Sequence, residues 1–198
     1  EMLIDMTDFE AAETHLQDAI RIARSLSNRR MELYCLYELS RRALGLGQSD
    51  KAIEILDQAI AIGRETGINF HGPRLFALNA VLRKDPEVCR QSLAEGAALV
   101  AEGANAHNVL WFHRDAIDAC LNIGDIDKAR SHAEALLNFT VEEKLPWVEF
   151  FAARGQALAD CAEGKGAHKV LQEILEQGRQ FGLRIALPEL EAALVQLA

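Results

Sequence analysis

Four side chains within eight positions carry the densest recognition chemistry in this sequence: Trp111, Arg114, Asp115 and Asp118. Trp111 and Arg114 are three apart and so are neighbours on one helical face, which Asp115 and Asp118 continue toward the next turn. An indole beside a guanidinium and two carboxylates suits binding: the ring supplies buried area, and the charged forks fix orientation. A plainer outcome is also open, in which Trp111 packs against the preceding repeat and Arg114 bridges Asp118 within the helix, a contact contributing only ~0.3 to 0.5 kcal/mol.

Residues suited to catalysis or metal binding are scattered. His107 and His113 are six apart, whereas two ligands on one helix face need a spacing of three or four, and His113 and Asp115 point to opposite sides. The sequence holds no nucleophile elbow, P-loop or dinucleotide fingerprint. Gly164-Lys165-Gly166 is short of a phosphate loop, lacking a preceding strand and the spaced glycine, and reads as a turn between helices. Cys35, Cys89, Cys120 and Cys161 fall about one repeat apart with no CxxC pair, as small buried thiols do in a reducing compartment. The expectation is a protein with no catalytic residues, no metal and no cofactor.

The elements that must hold these side chains are set by a repeated phrase. Ala12-Leu16-Ala19, Ala52-Leu56-Ala59, Ala129-Ala133-Leu136 and Ala167-Leu171-Ile174 share one spacing, and the run from Pro86 to Glu102 fills the gap between the second and third. A period near 40 residues marks stacked helix pairs. Laid over each other without a gap, Gly63-Arg64-Glu65-Thr66-Gly67-Ile68 matches Gly178-Arg179-Gln180-Phe181-Gly182-Leu183, so both helices end alike. Gly67 and Gly182 stand at the left-handed stop, followed by an apolar residue that folds back on the last turn, and Gly103 repeats that stop. The pattern predicts helices over 8–26, 29–45, 49–65, 72–82, 86–102, 105–122, 125–138, 146–162, 165–181 and 187–197, with no strand. Ser49 and Asp125 are the expected N-caps, Thr7 with Glu10 forms an expected capping box, and Pro86 and Pro146 open their helices. Helices joined by such short turns pack antiparallel.

Bulk properties narrow the function. The sequence of 198 residues is 49% hydrophobic, enough for a large core, and its four prolines each stand where a helix begins rather than in a linker. One domain spanning 1–198 is the simplest reading. A formal charge of −9, with no run of Lys or Arg, argues against nucleic acid and against an anionic membrane face. No leader and no membrane-length apolar run appear, so a cytoplasmic location is expected.

At Gly124-Asp125-Ile126 leading to Ala129, Gly47-Gln48-Ser49 leading to Ala52, and Asp8-Phe9 leading to Ala12, the chain resembles the tetratricopeptide repeat family. The resemblance implies an all-α solenoid of antiparallel helix pairs in a right-handed superhelix, with Gly155 or Ser40 facing a repeat alanine so that helix axes approach within ~8 to 10 Å. It departs from the family pattern in its long period, its missing opening Trp and its divergent third unit. Those departures resemble the long, degenerate repeats that follow an ATPase or nucleotide-cyclase module in large bacterial signalling proteins. The implied role is a protein-interaction or scaffolding module, with a ligand-sensing domain controlling such a module as the alternative. First helices would line the concave wall, making Tyr34, Tyr37, Glu38, Arg41, Arg74, Trp111, Arg114, Asp115, Asp118, Glu149 and Gln156 its exposed candidate contacts to a peptide or protein segment.

The first 26 residues carry one more expectation. By register, helix 8–26 is the second member of a pair whose first member is nearly absent, as in a fragment of a longer polypeptide. Leu16 and Ile20 are then expected to be uncovered and to favour a homodimer through this end.

Overall fold

In the computed structural model, residues 1–166 and 168–197 are described; Ala167, the repeat alanine of the last unit, lies outside the described residues. Helices alternate with short turns throughout: α1 (Met2–Asp5), α2 (Phe9–Ser25), α3 (Arg29–Gly45), α4 (Ser49–Thr66), α5 (Gly72–Leu82) and α6 (Pro86–Ala101). They continue as α7 (Ala106–Asn122), α8 (Ile126–Phe139), α9 (Pro146–Ala162), α10 (His168–Gln180), a single 3-10 turn at Arg184–Ala186, and α11 (Pro188–Gln196). The fold is an all-α stack of antiparallel helix pairs, with no strand among the described residues.

Local chemistry explains most boundaries. Asn28, Asp85, Asn105 and Asp125 cap the helices that follow by accepting backbone N–H bonds, and Pro86, Pro146 and Pro188 occupy first helical positions, where a missing N–H costs nothing. Two expected caps are displaced by one residue. Asp8, not Thr7, accepts from Ala11 N, because Thr7 sits at φ 61° and turns its hydroxyl back to Met6 O. Ser49 is the first residue of α4 rather than its cap. Gly67, Gly103 and Gly182 take the expected positive φ, and Leu183 behind the last of them is buried.

The repeat alanines make the seams. Ala52, Ala59, Ala129 and Ala133 have no exposed surface, and the Ser40 hydroxyl on α3 donates to Ala52 O on α4 at 2.7 Å, a distance only two small side chains permit. A Cβ on Gly96 would stand 2.6 Å from the Phe112 ring. Gly155 differs from expectation: its missing Cβ makes room for Ile117 of α7, the first helix of the neighbouring pair, instead of an alanine on its own partner.

Two layers result. Helices α3, α5, α7 and α9 form an inner row in which neighbours touch, and α2, α4, α6, α8 and α10 back it. The core runs along the stack as three apolar clusters, centred on Leu56 and Leu75, on Phe112 and Cys120, and on Phe150 and Leu171. Ile20 belongs to the first, and Leu16 packs against it half-buried, so the expected bare face at α2 is corrected: α3 packs on it. The large apolar side chains left exposed here are Ile22 on α2 and Leu26 at its C-cap. At the other side of the stack the 3-10 turn returns to touch α1, with Gly182 close to Met6, so the two ends of the described chain meet. No helix among the described residues is long and apolar enough to cross a membrane.

Candidate functional site: the inner wall

Residues of α3, α5, α7 and α9 converge on an open cavity of about 710 Å³, bordered further by the α1–α2 turn, the 3-10 turn and α11. Its walls mix apolar faces from Phe9, Leu44, Phe151 and Leu158 with charged groups from Arg41, Arg114, Asp115, Asp118, Arg154 and Glu189. A cleft of this size with a few converging polar groups is the ordinary form of a binding site.

Each inner helix brings one buried arginine, at 41, 74, 114 and 154. Burying a guanidinium is costly unless it is paired and hydrogen-bonded, and here every one has a carboxylate. Glu38, with no exposed surface, accepts from Arg41 Nη1 at 2.9 Å and from Arg74 Nη2 at 3.2 Å. Arg41 also donates to Asp5 of α1 at 2.7 Å. Arg114 Nε donates to Asp115 Oδ1 at 2.7 Å. Arg154 uses three arms: Nε to Ala186 O at 2.9 Å, Nη1 to Asp118 at 2.5 Å and Nη2 to Glu189 at 3.0 Å.

Trp111 stands at the centre of the stripe. The guanidinium carbons of Arg114, Arg41 and Arg74 lie 3.8, 4.3 and 4.8 Å from its ring centroid, and the Trp147 ring is 5.6 Å away. Three cations on one indole share its negative faces, and such contacts strengthen where water is absent. Desolvation opposes the charge on Arg41, but Glu38 and Asp5 more than offset it and raise its pKa well above the ordinary value. Arg154 is likewise raised, with Asp118 and Glu189 outweighing burial. For Asp115 burial wins over the adjacent Arg114, so its carboxyl lies above the usual carboxylate range. Burial pushes the Tyr37 phenol up to about 12.

The sequence-derived contacts divide on this geometry. Arg41, Arg114, Asp115 and Asp118 line the cavity, and Tyr37, Glu38, Arg74 and Trp111 form the buried layer behind it. Seven of the eleven, Tyr37, Glu38, Arg41, Arg74, Trp111, Arg114 and Asp115, are buried rather than exposed, because the first helices of adjacent pairs approach closely enough to bury the charges against one another. Tyr34 is half-buried, its hydroxyl donating to the Glu1 carboxylate at 2.9 Å. Glu149 is exposed and Gln156 half-buried, and neither lines the cavity. The alternative Arg114–Asp118 bridge does not form: Arg114 turns to Asp115, and Asp118 takes Arg154 from the next unit. Arg154, Asp5 and Glu189 were not anticipated. A signal for Arg154 exists in the sequence, since Arg74, Arg114 and Arg154 recur at the 40-residue period of the repeats themselves.

Elsewhere, His113 and His132 meet with their Nδ1 atoms 2.9 Å apart beside the Phe112 ring. Desolvation pushes both down to about 4, so they stay neutral and share one hydrogen bond. Among the described residues no three His, Cys, Asp or Glu side chains form a group able to hold a metal ion.

The family model described as Tetratricopeptide repeat matches residues 1–65, the stretch from α1 through α4. The match covers this segment alone, and the helix pairs beyond it extend the same all-helical stack. Repeats of this family generally mediate protein–protein contact and are typically non-catalytic. No curated protein matches the chain.

Proposed function

We propose that this protein is a non-catalytic interaction module whose inner cavity receives a segment of another protein. The supporting observation is the convergence of Arg41, Arg114 and Arg154, three buried guanidiniums fixed by carboxylates, on a cavity that also presents the apolar faces of Phe9, Leu44, Phe151 and Leu158. Rigid charged forks beside apolar surface recognise a peptide with little entropy lost on binding. The resemblance to long, degenerate repeats supports reading the module as part of a larger cytoplasmic signalling protein, C-terminal to an ATPase or nucleotide-cyclase unit. Photo-crosslinking tests the cavity. A photoreactive residue at Leu158, inside it, is expected to capture a protein partner, and one at Lys51, exposed on α4, is not. Ala192→Trp fills the cavity from an exposed position and should abolish capture while the thermal melt is unchanged. Equal adducts from both positions overturn the reading.

A second reading is favoured by the cavity's size, which suits a small ligand as well as a side-chain cluster. In that case the occupant controls the upstream module by joining the α1 end of the stack to the 3-10 turn, and a metabolite panel would raise the melting temperature by mass action. A homodimer through Ile22 and Leu26 is also proposed, and sedimentation that stays monomeric at high concentration sinks it.

A further inference from the structure

The Arg154 guanidinium is itself buried, yet one of its three bonds ends on an exposed carboxylate. Its side chain is 2% exposed, whereas that of Glu189 is 59% exposed, and both line the cavity. Ala186 O accepts from Nε and Asp118 from Nη1. Glu189 holds Nη2 from the solvent side, at the first turn of α11. The carboxylate end of this pair lies in water, so exchanging one carboxylate for another there keeps the buried guanidinium paired and is nearly neutral.

The surrounding charge favours that exchange. The whole sequence carries 21 basic and 30 acidic side chains, but the cavity wall reverses the balance, with Arg41, Lys84, Arg114, Arg154 and Arg184 against Asp115, Asp118 and Glu189. Lys84 and Arg184 are exposed at the rim and have no ion pair among the described residues. We infer that Arg154 Nη2 is the anchoring subsite for a carboxylate side chain of an acidic peptide segment, and that Glu189 occupies it as an internal competitor. This inference rests on the cavity being the binding site. It adds the chemistry of the occupant and a device within the chain that sets its affinity. An apolar residue next to the captured carboxylate would meet Phe151 and Leu158, which adjoin Arg154 on the same helix face.

Competition has a measurable sign. If Glu189 holds Nη2 most of the time, the apparent affinity for any carboxylate is reduced by the fraction of time the arm is free, and removing the competitor restores it. The subsite is probed with glutarate, followed by the Nε–H signal of Arg154 in the intact labelled chain, with glutaramide and matched sodium chloride as controls. Glutarate should move that signal saturably, and Glu189→Gln should tighten it roughly three- to tenfold. Glu189→Ser provides the same measurement should the glutamine variant fold poorly. A glutarate response matched by chloride or glutaramide, or an affinity unchanged or weakened in both variants, overturns the subsite. The second arm uses a labelled acetyl-Glu-Leu-Glu-Leu-Glu-amide peptide against its all-Gln counterpart. Tighter binding of the acidic peptide, at least fivefold, supports the inference. Equal binding of the two overturns it while leaving peptide capture standing, and a glutarate response with neither peptide bound removes the peptide groove but keeps the carboxylate subsite.

Discussion

The seams between paired helices and the inner wall solve the same packing problem with opposite chemistry. At the seams, Ala52, Ala129 and Ala133 are fully buried and nearly featureless, and closeness alone stabilises the contact. On the wall, Glu38, Arg41, Arg74, Arg114 and Arg154 are buried as well but ionisable, and each requires a partner: Glu38 takes Arg41 and Arg74, Arg114 takes Asp115, and Arg154 takes Asp118. The seam contributes stability by van der Waals contact. The wall contributes geometry, since a buried ion network is a weak source of net stability but is costly to break. A module that needs one fixed constellation at its centre and many interchangeable contacts around it can be built in this way.

The sharpest way to break the comparison is to remove one charge from the wall. Glu38→Ala would leave Arg41 and Arg74 buried with their shared acceptor gone, and a loss of ~3 to 5 kcal/mol is expected from chemical denaturation. Glu38→Gln retains shape and part of the hydrogen bonding, so a smaller loss should follow. If Glu38→Ala unfolds at the same denaturant concentration as the parent, the network is not a structural unit.

The seam is tested by overpacking. Ala129→Leu should cost ~1 to 3 kcal/mol, because α7 and α8 approach too closely to admit a branched side chain. Differential scanning calorimetry reads it directly. An unchanged melting temperature would mean that the repeat register assigns the wrong face of α8 to the seam.

Those two expectations show why only half of the design is legible in the sequence. The seams follow from spacing: alanines at fixed intervals, Gly67 and Gly182 at matched helix ends, and prolines at helix starts fix nearly every element to within a residue or two. The wall does not follow from spacing, because the partners that tie one helix to the next are remote in sequence. Asp118 and Arg154 are 36 apart, as are Asp5 and Arg41, and neither pairing leaves a mark on its own helix. The same reason explains why Trp111 and its neighbours read as exposed. A polar stripe on an amphipathic helix looks solvated until the next helix supplies the counter-charge. Register errors at Thr7 and Ser49 are of a different kind, since several residues in each turn can cap and backbone dihedrals decide among them.

A third test uses pH and separates a neutral buried pair from the charged wall. His113 and His132 have folded-state values near 4, below the ordinary 6.5, so the unfolded chain binds protons that the folded chain refuses. Their contribution is present above about pH 6.5, is lost as pH falls from there toward 4, and is flat below that. Both rings are partly exposed, and we expect a loss of about 1 to 2 kcal/mol across the window. In His132→Gln that slope should shrink when stability is measured at pH 7, 5.5 and 4.5. A slope identical to the parent's assigns the acid sensitivity to the carboxylates of the wall.

The smallest expected effect sharpens the contrast at a single helix. Lys128 is the immediate neighbour of Ala129 in sequence, but it faces out, with its side chain 60% exposed and its ammonium 3.8 Å from Asp125. That pair spans one turn at the start of α8, where solvent screens it and the N-cap role of Asp125 toward the Lys128 backbone N–H does not depend on the lysine side chain. Lys128→Ala should therefore change stability by less than about 0.5 kcal/mol, against the ~1 to 3 kcal/mol expected one residue later. The ratio matters more than either value, because adjacent positions share every global property of the chain and differ only in the direction they face. If Lys128→Ala proved the more damaging of the two, the seam would lie on the other side of α8, and the inner row of helices that carries the arginines would have to be redrawn with it.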